Sequence, residues 1–257
     1  MPPSTKAAAF LLDLWSSGQQ TDQLATGYRP DSLPQGYEAQ NAFIDRSQKT
    51  PIGWKLGIAS PLQLKVNSLS RPLIGKVLKE RCFTDGAKLD LPASGTITIE
   101  CELGITLKHD LDPKVCNEAA WSDIESLYFT FEIVRSRFFN RKSVGWPSFV
   151  ADNVGFEALV IGQPITLAPS TNEVHKLQQS TQVLLNGTCV SKPLLGDKGV
   201  CPLTALNHLL AHAKEYGYTL PKGDIVSTGA FCEPFDLSSR NDHIEVTTND
   251  HSLSFIS

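Results

Sequence analysis

Apolar residues recur at helical spacing over residues 5–18, where Ala9, Leu12 and Trp15 predict one face of a helix and Gly18 its stop. A polar stretch follows, "SGQQTDQLATGYRPDSLPQG". Tyr37 to Gln48 predicts a second helix with Ala39, Ala42 and Phe43 on one side, ended by Pro51. From residue 52 the pattern changes to short β-type runs divided by Gly and Pro: "IGWKLGIA", "SRPLIGKVL", "TITIECELGITL", "SLYFTFEIV", "FEALVIGQPI", "QVLLNGTCV", "DIVSTGAF" and "HIEVTT". Asn186-Gly187 is the strongest hairpin signal, because both residues tolerate positive φ. One helix interrupts the strands, "PLTALNHLLAHAKEYG", with Pro202 near its start, Leu206, Leu209, Leu210 and Ala213 apolar, and Gly217 as its stop. The pattern predicts a mixed, β-rich α/β fold: a helical N-terminal region, 1–50, and a β-rich domain, 51–257.

The longest run raises a chemical question. Strand side chains alternate between faces, so Glu100 and Glu102 project together while Cys101 points away. Ile97, Ile99, Leu103 and Ile105 make the setting apolar. Two carboxylates there repel each other and lose hydration, which raises a pKa or recruits a cation. A hard divalent ion takes oxygen ligands and leaves positions for water or substrate. Glu132, mid-strand in "YFTFEIV", is the candidate third carboxylate. The competing reading puts all three on the solvent side of a sheet.

Composition narrows the classes. The 257 residues are 41% hydrophobic and 19% charged with a net charge of −4, ordinary for a soluble globular protein. No Lys/Arg run stands out, which argues against nucleic acid as a partner. No apolar run approaches the ~18 residues a membrane helix needs, and Asp13 interrupts the apolar start, so neither a membrane segment nor a signal peptide is expected. The six scattered cysteines lack a C-x-x-C pair and read as reduced thiols of a cytoplasmic protein. His208 and His212 stand at i, i+4, but lack a third zinc ligand, and Leu209 and Leu210 suggest a packing helix.

Five motifs in order, "GWKLG" (53–57), "ECELGITL" (100–107), "FEIVRSRF" (131–138), "ADN" (151–153) and "DIVSTGA" (224–230), resemble the fumarylacetoacetate hydrolase superfamily. More narrowly they resemble its branch of 2-keto-4-pentenoate hydratases and 4-oxalocrotonate decarboxylases. The resemblance implies a mixed β-roll with a helical N-terminal region, and Glu100, Glu102 and Glu132 holding Mg2+ or Mn2+. It implies catalytic roles for Lys55 and Asp152, and Asn153, Ser227, Thr228 and Leu73 against a small 2-oxo acid. It also implies a homo-oligomer, or a complex with a related pathway enzyme. Without the resemblance Lys55 reads as a surface lysine.

Two positions depart from the branch pattern. Pro72-Leu73-Ile74-Gly75 stands where its hydratases commonly carry an acid after the proline, which leans away from hydration. Arg135 replaces the aspartate of "E-[IV]-V-D-S-R", either to favour a substrate with an extra carboxylate or as a surface change without consequence. All six histidines follow the E-x-E strand, so the His–Glu dyad of hydrolytic carbon–carbon cleavage has no counterpart. The leading expectation is a metal-dependent lyase of the hydratase type. A decarboxylase stands close behind, followed by a keto-enol tautomerase and a catalytically idle partner subunit.

Overall fold

The computed structural model describes residues 1–166 and 168–257. Helix α1 (Pro3–Ser17) ends at Gly18, whose φ of 71° lets its N–H turn back to Trp15 O. Helix α2 (Leu33–Ser47) begins four residues ahead of the expected Tyr37. Ser32 accepts a hydrogen bond from Gln35 N and Pro34 lies in the first turn, a start signal inside the polar stretch. The buried side of α1 is Ala7, Ala8, Leu11 and Leu14, not the stripe through Ala9, Leu12 and Trp15. Small alanines seat α1 against Ala39 and Phe43 of α2. Trp15 stays at the margin, where its indole N–H reaches Glu157 Oε2 at 3.0 Å.

Strands follow: β1 (Pro51–Gly57), β2 (Leu73–Leu78) after the short helix α3 (Pro61–Val66), β3 (Cys82–Thr84), β4 (Ala87–Lys88), β5 (Thr98–Leu107) and β6 (Ile124–Val134). Helix α4 (Trp146–Ala151) leads into β7 (Phe156–Thr166), and α5 (Thr171–Ser180) into the hairpin β8 (Gln182–Leu185) and β9 (Thr188–Ser191). Helix α6 (Pro202–Tyr216) precedes β10 (Ile225–Ala230), β11 (Phe235–Asp236), β12 (His243–Thr247) and β13 (Ser252–Ile256). Asn186 and Gly187, φ 50° and 80°, form the expected hairpin turn.

The larger sheet runs β2-β1-β10-β5-β6-β7-β3, with β11 continuing the β10 edge along β5; the smaller runs β4-β13-β12-β8-β9. One face of the β5–β6 pair carries Ile99, Cys101, Leu103 and Ile105 beside Phe129, Phe131 and Ile133, all buried. Leu206, Leu209 and Leu210 of α6 join that core, and Phe131 meets Phe255 of the smaller sheet at 5.2 Å. Helices α1 and α2 pack on Val77, Leu78, Phe156 and Leu159 through a second apolar cluster. Among the described residues no helix is long and apolar enough to cross a membrane.

Candidate metal centre

The opposite face of β5 and β6 is acidic. The antiparallel register sets Glu100 directly across from Glu132, and Glu102 across from Thr130. One carboxylate oxygen from each of Glu100, Glu102 and Glu132 lies within 4.8 Å of the others. Among the described residues this is the one such group of three acidic, histidine or cysteine ligands. Glu102 and Glu132 are fully buried, while the half-buried Glu100 opens on a cleft of about 540 Å³.

Lys55 lines the same cleft from β1 and is itself buried. Its Nζ lies 2.8 Å from Glu132 Oε1 and donates to Val154 O at 3.0 Å. Two glycines make room for it. A Cβ on Gly75, which pairs with Lys55 across β1–β2, would stand 2.9 Å from the lysine Cγ and Cδ. A Cβ on Gly57 would strike Val154 Cγ1 at 2.7 Å. The carbonyl that receives the ammonium sits in an unusual turn. Asn153 and Val154 both have positive φ, 49° and 53°, a conformation that costs a β-branched residue about 1–3 kcal/mol. Asn153 offsets this by clamping β2, its Oδ1 accepting from Lys76 N at 2.8 Å and its Nδ2 donating to Lys76 O at 2.9 Å.

Glu102 is held from β10. Ser227 Oγ donates to Glu102 Oε2, and a bulge in β10 turns Gly229, φ 108°, so that its N–H reaches the same oxygen at 3.0 Å. Among the described residues, Glu102 Oε1 and both oxygens of Glu132 have no hydrogen-bond donor; the approach of Lys55 is an ion pair lacking hydrogen-bond alignment. Burial raises the Glu102 carboxyl well above the ordinary range, and Glu132 and Glu100 add repulsion. Burial lifts Glu132 to about 7 against the pull of Lys55, with Glu100 raising and Arg141 lowering it further. Three carboxylates face one ammonium, with buried oxygens aimed at each other and unpartnered. That donor set fits a hard divalent cation.

No family model matches the sequence. It is 28% identical over 190 residues to a 2-hydroxyhexa-2,4-dienoate hydratase of Comamonas testosteroni, covering 72% of this chain and 70% of the relative. It is 27% identical over 186 residues to a 2-keto-4-pentenoate hydratase of Burkholderia vietnamiensis, covering 70% and 67%. A 4-oxalocrotonate decarboxylase from Pseudomonas putida G7, solved with magnesium and adipate, superposes with a TM-score of 0.85 at 20% identity over 98% of this chain and 96% of that one. The same decarboxylase has been solved with calcium and acetate. These activities are those of the branch that the five motifs resemble. The chain is similar in sequence to these two hydratases and shares the fold of the decarboxylase.

Within this shared fold, the expected site residues divide. Lys55, Glu100, Glu102 and Glu132 come together at the cleft. Ser227 reaches the cluster, yet its hydroxyl is spent on Glu102 rather than offered to a ligand. Thr228 is turned away, donating to Leu103 O at 2.7 Å, because successive strand residues face opposite sides. Asn153 clamps β2, and Leu73 packs in the apolar core outside the cleft lining. Asp152 lies outside the lining too. It is fully buried against Arg137 and accepts from Ser136 Oγ at 2.8 Å and Arg137 N at 3.0 Å. Its place is under the turn that carries Val154, outside the cleft lining.

Arg135 fits neither expected reading. It is buried, donating from Nε to Ser94 O at 2.8 Å and from Nη2 to Gly18 O, so it ties the end of α1 to the loop before β5. His212 is a packing group, its ring 4.7 Å from Tyr37 and 4.5 Å from Tyr216, and burial drives its pKa down to about 3. Sequence reasoning missed Val154, Gly75 and Arg141. A β1–β2 hairpin drawn from "GWKLG" and "PLIG" places Gly75 opposite Lys55; nothing local marks a valine for positive φ.

Proposed function

We propose that the protein is a divalent-metal-dependent lyase acting on a short 2-oxo acid or its dienol, of the 2-keto-4-pentenoate hydratase type. The observation that carries this reading is the convergence of Glu100, Glu102 and Glu132 within 4.8 Å, with Lys55 2.8 Å from Glu132, at the inner end of an open cleft. The three glutamates would hold Mg2+ or Mn2+. When bound, such a cation supplies Lewis acidity that stabilises negative charge on the C2 oxygen of a 2-oxo acid.

The chain's own residues do the remainder. Ketonisation of 2-hydroxypenta-2,4-dienoate removes the enol proton and adds one at C5; water then adds with oxygen at C4 and hydrogen at C3. Lys55 Nζ, held between Glu132 and Val154 O, is placed to carry a proton at carbon. Ser227 and Gly229 N–H fix Glu102 from behind, so the acid does not swing as charge moves. Ile58, Leu62, Trp146 and Phe149 wall the cleft with apolar surface that limits stray water.

A decarboxylase is the second reading. With Leu73 packed in the core, Glu100 is the one carboxylate among the described residues of the cleft lining, which leaves no spare acid there to orient attacking water. The magnesium and adipate of the Pseudomonas putida decarboxylase support the same direction. Incubation with 2-hydroxypenta-2,4-dienoate, and separately with 2-oxohex-3-enedioate, with and without Mg2+, tests both. Metal-dependent loss of the conjugated ultraviolet band without carbon dioxide is the expected result. Carbon dioxide from the second compound alone replaces hydratase by decarboxylase, and enolisation alone makes the protein a tautomerase. No reaction with either compound in the presence of metal removes the lyase reading.

A further inference from the structure

The cleft is basic in a chain that is acidic overall. The net charge is −4, yet Lys55, Arg141, Lys142 and Lys198 line the cleft against a single lining carboxylate, Glu100. Lys55 is neutralised by Glu132. Among the described residues, none of Arg141, Lys142 and Lys198 has a carboxylate within ion-pair reach. Lys142 and Lys198 are exposed and solvated, whereas Arg141 is half-buried. A partly desolvated guanidinium gains more from an anion than a hydrated ammonium does, and its planar fork matches a carboxylate.

Arg141 is also oriented. Its Nη2 donates to Thr98 Oγ1 at 3.3 Å, and that hydroxyl gives its own proton to Asp236 Oδ1 at 2.7 Å, so its lone pairs face the arginine. This is the one hydrogen bond of Arg141 among the described residues, and the rest of the fork is open to the cleft. Its charge is felt at Glu132, so it belongs to the same electrostatic site as the acidic cluster.

We propose that Arg141, backed by Lys142 and Lys198, holds a second anionic group of the substrate, so that the cleft selects dicarboxylic over monocarboxylic 2-oxo acids. The inference rests on the reading of the cleft as a 2-oxo acid site, and within that reading it shifts the preferred substrate from the monocarboxylic 2-keto-4-pentenoate to a dicarboxylic counterpart. The 2-oxo acid end lies toward the glutamates and Lys55, and the far carboxylate meets the guanidinium. Arg141 is then a specificity residue, and it discriminates by leaving a cation unpaired when the far group is a methyl.

Calorimetric titration of the Mg2+-loaded full chain with 2-oxoadipate and with 2-oxohexanoate, six-carbon acids that differ in the far group, tests it without turnover. The expected result is tighter binding of 2-oxoadipate by about tenfold or more, an advantage that Arg141→Ala cuts to about twofold while 2-oxohexanoate affinity holds. Lys198→Ala, an exposed substitution that leaves Arg141 in place, reduces the advantage by a smaller factor. Equal affinities in the unaltered protein overturn the proposal. So does an Arg141→Ala variant that weakens both acids alike, since the arginine then grips the end they share. Failure of the underlying reading looks different: binding of both acids is indifferent to Mg2+, or neither binds, and in the latter case both readings fall.

Discussion

Two buried charge clusters lie on either side of the 153–155 turn, and they are built to opposite specifications. Arg137, Asp152, Glu157 and Arg81 balance two cations against two acids. Asp152 accepts from Ser136 and Arg137, Arg81 Nη2 donates to Glu157 Oε1 at 2.8 Å, and Trp15 serves Glu157 Oε2. Each of those carboxylate oxygens has a donor. The cleft cluster sets three acids against one ammonium, and among the described residues Glu102 Oε1 and Glu132 Oε2 have no donor. A satisfied network specifies a conformation; an unsatisfied one is maintained by the surrounding fold against its own repulsion. The contrast sets Asp152, in the satisfied network, apart from the three acids that face one another at the cleft.

Substitutions that exchange the behaviour of the two clusters test the contrast. The largest effect is expected from Glu132→Gln, which removes a charge from the unsatisfied cluster. Metal-dependent turnover falls beyond the roughly 100-fold typical of losing an outer-sphere partner, and Mg2+ no longer raises the melting temperature. Calorimetric melts with and without metal check the second point even where activity is too low to assay. Asp152→Ala acts on the satisfied cluster and strands Arg137. It is expected to lower unfolding free energy by about 3–5 kcal/mol in urea titrations, while the folded fraction keeps its response to Mg2+. Loss of that response without loss of stability would move Asp152 into the site.

The smallest and most diagnostic effect is in pH. Glu132 titrates near 7 in the folded chain against an ordinary carboxylate value of 4.5, because burial disfavours its charge. The folded state therefore holds more protons than the unfolded one between those limits. Metal-free stability falls as pH rises from about 4.5 to about 7, on the order of 3 kcal/mol across the window. Cations displace those protons, so Mg2+ stabilises more at pH 8 than at pH 5.5. Equal stabilisation at both pH values would mean that the cation binds away from the buried glutamates.

Much of the large-scale plan was readable from the chain. The alternation in "TITIECELGITL" and "SLYFTFEIV" identifies one acidic and one apolar face, and the two runs pair on those faces. Strands announce themselves through a two-residue period that either face preserves. Helix faces were harder: α1 has two apolar stripes, and the choice between them depended on which one α2 could approach. Helix α5 has a weak apolar stripe, only Val174 and Leu177 being buried, although Ser170 caps it through Glu173 N. Side-chain direction outside regular strands was not readable. Asp152 and Arg135 are charged residues near acidic motifs, and only the 152–155 turn and the approach of Gly18 decide that both point into packing. Lys55 was legible as a motif, but its environment depends on a valine carbonyl and a glycine from other segments.

The pairing of Glu100 with Glu132 bears on how the chain reaches its native state. If β6 slid past β5 by a single residue, Phe131 or Ile133 would replace the acid opposite Glu100, and the oily side would turn outward. A ligand demanding all three carboxylates at once recognises only the native alignment. Such a ligand, present while the chain refolds, acts as a proofreader that rewards the correct hairpin over its slipped competitors.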